Sequence, residues 1–101
     1  MERIKLIGLE NFDEIEKFDI QEMTKANYDK LSKEFEEITL VLHAKKYDKS
    51  GKKCKYALNA KIEKGEGVLS NAKYADWDLK KTLHKLFDKL DYGIKHKFKT
   101  V

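Results

Sequence analysis

Lysines are the residues whose type and spacing could do chemistry in this chain. They crowd two short segments, "KKYDKSGKKCK" at residues 45–55 and "KKTLHK" at residues 80–85. An ammonium group meets a phosphate as a point charge, and several of them on one surface bind a polyanion. All but one of the 22 cationic side chains are lysine, the exception being Arg3. Contact with a nucleic-acid backbone is therefore favoured over base readout, which arginine performs better.

The charges are distributed unevenly along the chain. Residues 1–37 carry six Lys/Arg and eleven Asp/Glu, a net charge of −5, whereas residues 38–101 carry sixteen and seven, a net charge of +9. Such segregation predicts a protein with one acidic and one basic side. A lysine-rich genome is the alternative explanation. It would account for the total charge more readily than for its uneven placement.

No arrangement typical of an enzyme or of a metal site is present. The histidines are scattered and show no HxxxH spacing, there is no CxxC pair, and neither GxGxxG nor a P-loop occurs. Asp76 and Asp78 are better interpreted as helix-start residues than as an acid/base pair, and Cys54 faces inward by alternation. The three histidines are His43, His84 and His96. We expect no catalytic residue, no metal ligand, no cofactor and no small-molecule substrate.

Two aromatic residues beside the lysines have two possible roles each. Trp77 could anchor the second helix against the sheet, or it could be partly exposed and stack on a base or ribose. Tyr47 lies next to the lysine-rich turn and leaves the same choice open. The sequence favours the anchor for Trp77 and does not decide for Tyr47.

The length of 101 residues predicts a single domain, 1–101, with one modest core. No apolar run approaches the length of a membrane span, and the opening segment "MERIKLIGLE" alternates and carries two glutamates, unlike a secretory signal. A single cysteine cannot form an internal disulfide. We therefore expect a cytoplasmic protein with no membrane partner, either a monomer or a weak dimer.

Hydrophobic periodicity indicates the elements that must position the lysines. Residues 3–10 alternate like a strand. Residues 11–18 are acidic and are interpreted as a loop with a possible helical turn. Asp19, with Glu22 three residues later, predicts the start of a helix over about 20–36. The remainder predicts, in order, a strand (38–47), a turn (48–51), a strand (53–62), a turn (63–67), a strand (68–74) and a helix capped by Asp76 that runs to about residue 95.

The order β-α-β-β-β-α predicts an α+β fold, a mixed four-stranded sheet with two helices packed on one face. The first two strands should be parallel and the last three should form an antiparallel meander, so the fourth strand should end beside the lysine-rich turn. The second helix should begin there. We therefore predict one lysine-rich edge that binds RNA, made of Lys45, Lys46, Lys49, Lys52, Lys53, Lys55, Lys73, Lys80 and Lys81.

The element order and two segments resemble the ribosome hibernation-promoting factor family, which includes the ribosome-associated inhibitor proteins. The segment "KLSKEFEEI" (30–38) is similar to the end of their first helix, where the chain feeds into a long apolar strand. The segment "NAKYADWDLKKTLHKLFDKL" (71–90) is similar to their last strand and helix, with Asp76 at the family's aspartate position. The similarity covers roughly residues 2–97.

This resemblance implies a factor without enzymatic activity that binds the small ribosomal subunit. Such factors occupy the channel used by mRNA and tRNA, and they silence and protect idle ribosomes in stress. The family's contacts are mostly lysines and arginines on rRNA phosphates. By match of motif, the resemblance implies that role for Lys80, Lys81, Lys85 and Lys89, and for Lys45 at the end of the second strand.

Two alternatives remain. The segment "KKTLHK" also resembles the KKxxAK signature of double-stranded RNA-binding domains, with His84 in place of alanine, which implies a general binder of duplex RNA. The other alternative is a protein-interaction module that uses the acidic first helix or the uncovered sheet face. Architecture alone does not decide among these functions.

Overall fold

A computed structural model describes residues 3–48 and 54–99, with the side chains of residue 48 and residues 96–99 left undescribed. It confirms the α+β fold: a four-stranded mixed sheet in the order β1-β2-β3-β4, with two helices on one side. The elements are β1 (Ile4–Ile7), a 3₁₀ turn (Leu9–Asn11), α1 (Glu14–Ser32), β2 (Ile38–Asp48), β3 (Cys54–Lys64), β4 (Gly67–Asp76) and α2 (Leu79–Lys99).

The first crossover depends on one glycine. As predicted, β1 runs parallel to β2. Ile4 lies opposite Leu40. The chain then turns at Gly8, whose φ of 89° lies in the left-handed region. A Cβ at this position would collide with the carbonyl oxygen of Ala44. Only glycine meets both requirements, because it has no Cβ and adopts positive φ without strain.

α1 begins six residues earlier than the sequence predicted. Its cap is Asp13, whose Oδ1 accepts a hydrogen bond from Glu16 N at 2.8 Å, while Asp13 N donates to Glu16 Oε1 at 3.0 Å. This reciprocal pair is a complete capping box. The interpretation of residues 11–18 as a loop was wrong, since their carboxylates are helix-start residues. The helix also ends at Ser32, before the predicted residue 36.

The three later strands form the predicted antiparallel meander. β2 pairs with β3 from Ile38 opposite Lys64 to Asp48 opposite Cys54, and β4 ends with Asp76 opposite Tyr56. The end of β4 therefore lies beside the β2/β3 hairpin, as predicted. Residues 49–53, which include most of the predicted turn, lie outside the described residues.

The core lies between the sheet and the helices. Alternate side chains of β2 and β3 are buried on that side, and one stripe of α2 packs against them. Period-2 and period-3.6 patterns predict such faces, and the predicted inward residues of β2 and the apolar stripe of α2 are confirmed. The buried core side chains include Ile38, Leu40, Leu42, Ala44, Leu58, Ala60, Ile62, Leu79, Leu83, Leu86, Phe87, Leu90 and Ile94.

The start of α2 differs from the prediction by two residues. Asp78 Oδ1 accepts a hydrogen bond from Lys81 N at 3.1 Å, so Asp78 is the cap. Asp76 is the last residue of β4 and accepts from Trp77 N at 2.6 Å. The prediction that Asp76 caps the helix was therefore wrong. Within residues 3–48 and 54–99, no helix combines the length and the apolar character needed to cross a bilayer.

Candidate nucleic-acid interface

The hairpin end of the sheet gathers lysines, but strand alternation divides them between two faces. We call the side away from the helices the open face. Lys45, Lys55 and Lys73 belong to the open-face set, since their neighbours along each strand point into the core. Lys46 belongs to the helix-covered side. Three predicted residues, Lys49, Lys52 and Lys53, lie outside the described part of the chain.

Lys46 is held inside a polar junction of three elements. Its Nζ lies 2.7 Å from Glu16 Oε1, and only 14% and 13% of the two side chains are exposed. Tyr56 donates its hydroxyl to Glu16 Oε2 at 2.5 Å. The ammonium group also lies 5.9 Å from the centre of the Phe12 ring, a cation–π distance. We call Glu16, Lys46 and Tyr56 the junction. The charge of Lys46 is therefore paired with a carboxylate inside the protein.

Hydrogen bonding in the junction shifts the titration of all three groups. Burial raises the pKa of Glu16, but the bonds from Lys46, Tyr56 and Asp13 N outweigh it, and the net pKa lies below the ordinary value. The bond to Glu16 raises the pKa of Lys46. Burial first, and then the same carboxylate, raise the pKa of Tyr56. The junction therefore remains an ion pair across the physiological pH range.

Four predicted lysines of α2 are exposed (Lys80, Lys81, Lys85 and Lys89), and two of these four have partners within the protein. Lys80 and Lys85 lie on the solvent side of the helix. Lys81 Nζ is 3.3 Å from Asp76 Oδ2, and the pKa of Asp76 is lowered, chiefly by the Trp77 N–H and also by Lys81. Lys89 Nζ donates to the carbonyl of Lys73 at 3.4 Å and lies 5.5 Å from the centre of the Tyr74 ring.

Lys89 connects α2 to the open face around the free edge of β4. A depression of about 800 Å³ on this side is lined by Lys45, Lys73 and Lys89 together with His43 and Tyr47. Among the described residues, no carboxylate lines it; its remaining wall and floor come from Ala57, Leu58, Asn59, Tyr74 and Ala75. We call this feature the open-face depression. Lys46 and Lys81 each pair with a carboxylate. The three lysines of the open-face depression have no Asp or Glu beside them among its described lining residues.

The two aromatic residues at this end are both half-exposed. Trp77 is 49% exposed and Tyr47 is 46% exposed. The half-exposed ring of Trp77 agrees with the alternative of a partly exposed aromatic residue rather than with the anchor that the sequence favoured. It lies between the last residue of β4 and the helix cap. Tyr47, on the last part of β2, lines the open-face depression.

The remaining candidate groups for chemistry lie apart. His43 is on the open face, as expected, and His84 lines a groove between α1 and α2. Cys54 is half-buried at the start of β3. Within the described residues, no three of His, Cys, Asp and Glu come together in a way that could hold a metal ion.

Sequence reasoning missed two polar clusters that join distant elements. The first is the junction, for which the motif Asp13-x-x-Glu16 was the available signal. The second joins the helices: Asp91 accepts from Asn27 Nδ2 at 3.2 Å and from Lys30 Nζ at 2.7 Å, and this bond raises the pKa of Lys30. No sequence pattern marked this second cluster, since Asp91 lies more than sixty residues from both Asn27 and Lys30.

The exposed side of α1 is rich in carboxylates near its start and carries two exposed apolar residues. Ile15 and Phe18, one turn apart on α1, are 76% and 60% exposed. Glu14, Asp19 and Glu22 occupy neighbouring positions of the same helix. This α1 surface is unsuited to a polyanion.

Comparison with protein-family models finds none that matches this chain. A search of curated proteins likewise finds no relative.

Proposed function

We propose that this protein is a ribosome-associated factor without enzymatic activity, which binds rRNA of the small subunit and inhibits or protects idle ribosomes in the cytoplasm. The single observation that carries the proposal is the open-face depression, where three lysines meet and none of the described lining residues is a carboxylate. A phosphate backbone is the polyanion that such a surface fits. Lys89 of α2 continues this surface around β4.

The proposal for the ribosome, rather than for RNA in general, is supported by the element order. The order β-α-β-β-β-α and the long apolar β2 agree with the resemblance to hibernation-promoting factors. In that family, lysines of the last helix contact rRNA phosphates, and Lys80, Lys81, Lys85 and Lys89 occupy the matching helix here. Lys81 would first have to exchange its bond to Asp76 for a phosphate.

The test is co-sedimentation with small ribosomal subunits at low salt. The double variant Lys45→Glu/Lys73→Glu reverses two charges in the open-face depression and should weaken binding about tenfold or more. Lys33→Glu/Lys64→Glu makes the same change in net charge near the opposite end of the sheet, where Lys64 pairs with Ile38. That control should bind normally. Absence of co-sedimentation of the unmodified protein would end the proposal.

Salt dependence provides a second measure. Contact with about five phosphates predicts that log affinity falls with log salt concentration at a slope of about −3 to −5. The Lys45→Glu/Lys73→Glu variant should show a shallower slope. Salt concentrations of about 50 to 300 mM span the physiological range. A complex whose affinity does not change over this range would contradict a phosphate interface.

A protein-interaction module is the second candidate, and the α1 surface favours it. Exposed apolar side chains as large as Ile15 and Phe18 on adjacent turns occur at docking surfaces. This candidate predicts a specific partner that remains bound after nuclease treatment. Ile15→Ser/Phe18→Ser should release such a partner, whereas Lys45→Glu/Lys73→Glu should retain it.

A further inference from the structure

The shape of the open-face depression is set by side-chain size on neighbouring strands. His43, Lys45 and Tyr47 stand along β2. Alanines face only the middle one of these residues on the next two strands, while His43 faces Asn59 and Tyr47 faces Lys55. Lys45 is opposite Ala57, and Ala57 is opposite Ala75. The result is a wall beside a low, flat floor. Its volume of about 800 Å³ lies within the range of about 300–1,000 Å³ typical of sites for small ligands.

The groups around this floor match the parts of a nucleotide. Tyr47 offers a half-exposed ring at the hairpin end of the wall. Asn59 is exposed on the floor and can both donate and accept hydrogen bonds. Lys45, Lys73 and Lys89 lie around the margin. An apolar floor with an aromatic ring suits a planar base, and the ammonium groups suit the phosphates on either side of it.

A regular duplex cannot use this combination. In A-form RNA the bases are stacked and paired, so a protein meets mainly phosphates and 2′-hydroxyls. The alanine floor and Tyr47 would then contribute nothing to affinity. An unpaired base, by contrast, can leave its stack and enter the depression, where it meets both the floor and the Tyr47 ring.

We infer that the open-face depression binds an unpaired nucleotide, with its base against Ala57 and Ala75, its face stacked on Tyr47, and its phosphates beside Lys45 and Lys73. This inference rests on the proposed RNA-binding function and narrows it to single-stranded segments. It also assigns binding to the sheet, in addition to the α2 lysines that the resemblance implies.

The experiment measures binding of two fluorescent probes by anisotropy: a twelve-nucleotide oligouridine and a duplex of the same length. Tyr47→Ala should weaken binding of the single strand about five- to hundredfold, the range of one stacked base, and leave the duplex unchanged. Tyr47→Phe retains the ring and should bind normally. Phe18→Ala removes an aromatic ring exposed on α1, away from the open face, and serves as the control.

A second variant tests the floor without touching a charge or a ring. Ala75→Leu should fill the floor and weaken binding of the single strand alone; Ala75 is exposed, so the fold should tolerate leucine. If both variants bind oligouridine normally while Lys45→Glu/Lys73→Glu weakens binding, the nucleotide site is overturned and the proposed function stands. If the unmodified protein binds neither RNA, both are overturned.

Discussion

Lys45 and Lys46 are neighbours in the chain and have opposite surroundings. Lys46 points to the helix-covered face and is enclosed by Glu16, Tyr56 and Phe12. Lys45 points to the open face and shares a depression with two other lysines and, in the part of the chain that the structure describes, with no carboxylate. The covered face uses charge to join α1 to the sheet, and the open face leaves charge available for a ligand. A substitution on the covered face should change stability, and one on the open face should change binding.

The largest effect on stability is expected from Glu16→Ala. It removes the partner of a nearly buried ammonium group and of the Tyr56 hydroxyl, and it opens the capping box at Asp13. The free energy of unfolding should fall by about 3 kcal/mol, measured by urea denaturation. Glu14→Ala, in the same helical turn and almost fully exposed, should change it by less than about 0.5 kcal/mol. Equal losses in the two variants would contradict the division between the faces.

Gly93→Ala is expected to have the next largest effect. A Cβ on this α2 residue would collide with the Ser70 hydroxyl, which donates to the carbonyl of Leu90 at 2.9 Å. Crowding should lower the free energy of unfolding by about 1–2 kcal/mol, although alanine is the better helix former. In a Ser70→Ala background the same change should become neutral or stabilising. A loss that persists in that background would place the cause elsewhere.

Thr24→Val should stabilise the protein. Thr24 on α1 is fully buried, and its hydroxyl has no hydrogen-bond partner among the described residues. Valine has nearly the same shape and no hydroxyl to desolvate, so the free energy of unfolding should rise by about 1 kcal/mol. Thr82 of α2 is the matched control. Its buried hydroxyl donates to the carbonyl of Asp78 at 2.6 Å, so Thr82→Val should bring no gain.

The smallest expected effect is on the pH dependence of stability. The folded state lowers the pKa of Glu16, so its contribution is complete above the pKa of the unfolded chain and is lost as pH falls through the folded value. The difference in unfolding free energy between the natural protein and Glu16→Gln should therefore shrink below about pH 4, the usual range of a glutamate. Urea titrations from pH 7 to pH 3 measure it. If this difference in unfolding free energy did not change with pH, the charge of the Glu16 carboxylate would not be what stabilises the junction.

Much of the fold followed from patterns with a single physical meaning. Alternation in residues 38–47 and 53–62 predicted two strands and their buried faces, because consecutive side chains of a strand point to opposite sides. Leucines at spacings of three and four predicted α2. The boundaries of α1 were wrong because two Asp-x-x-Glu/Gln-type starts occur, at Asp13 and at Asp19, and local sequence does not say which one caps.

The sequence by itself determined the charge of each segment, the order of the elements and which residues alternate into the core. It did not determine which lysines remain available to a ligand. That depended on Glu16 reaching Lys46, Asp76 reaching Lys81, and Lys89 reaching the edge of β4 beside Lys73. Hydrogen bonds between residues far apart in sequence form only after the chain is folded, and a charge's availability depends on its nearest neighbours in space.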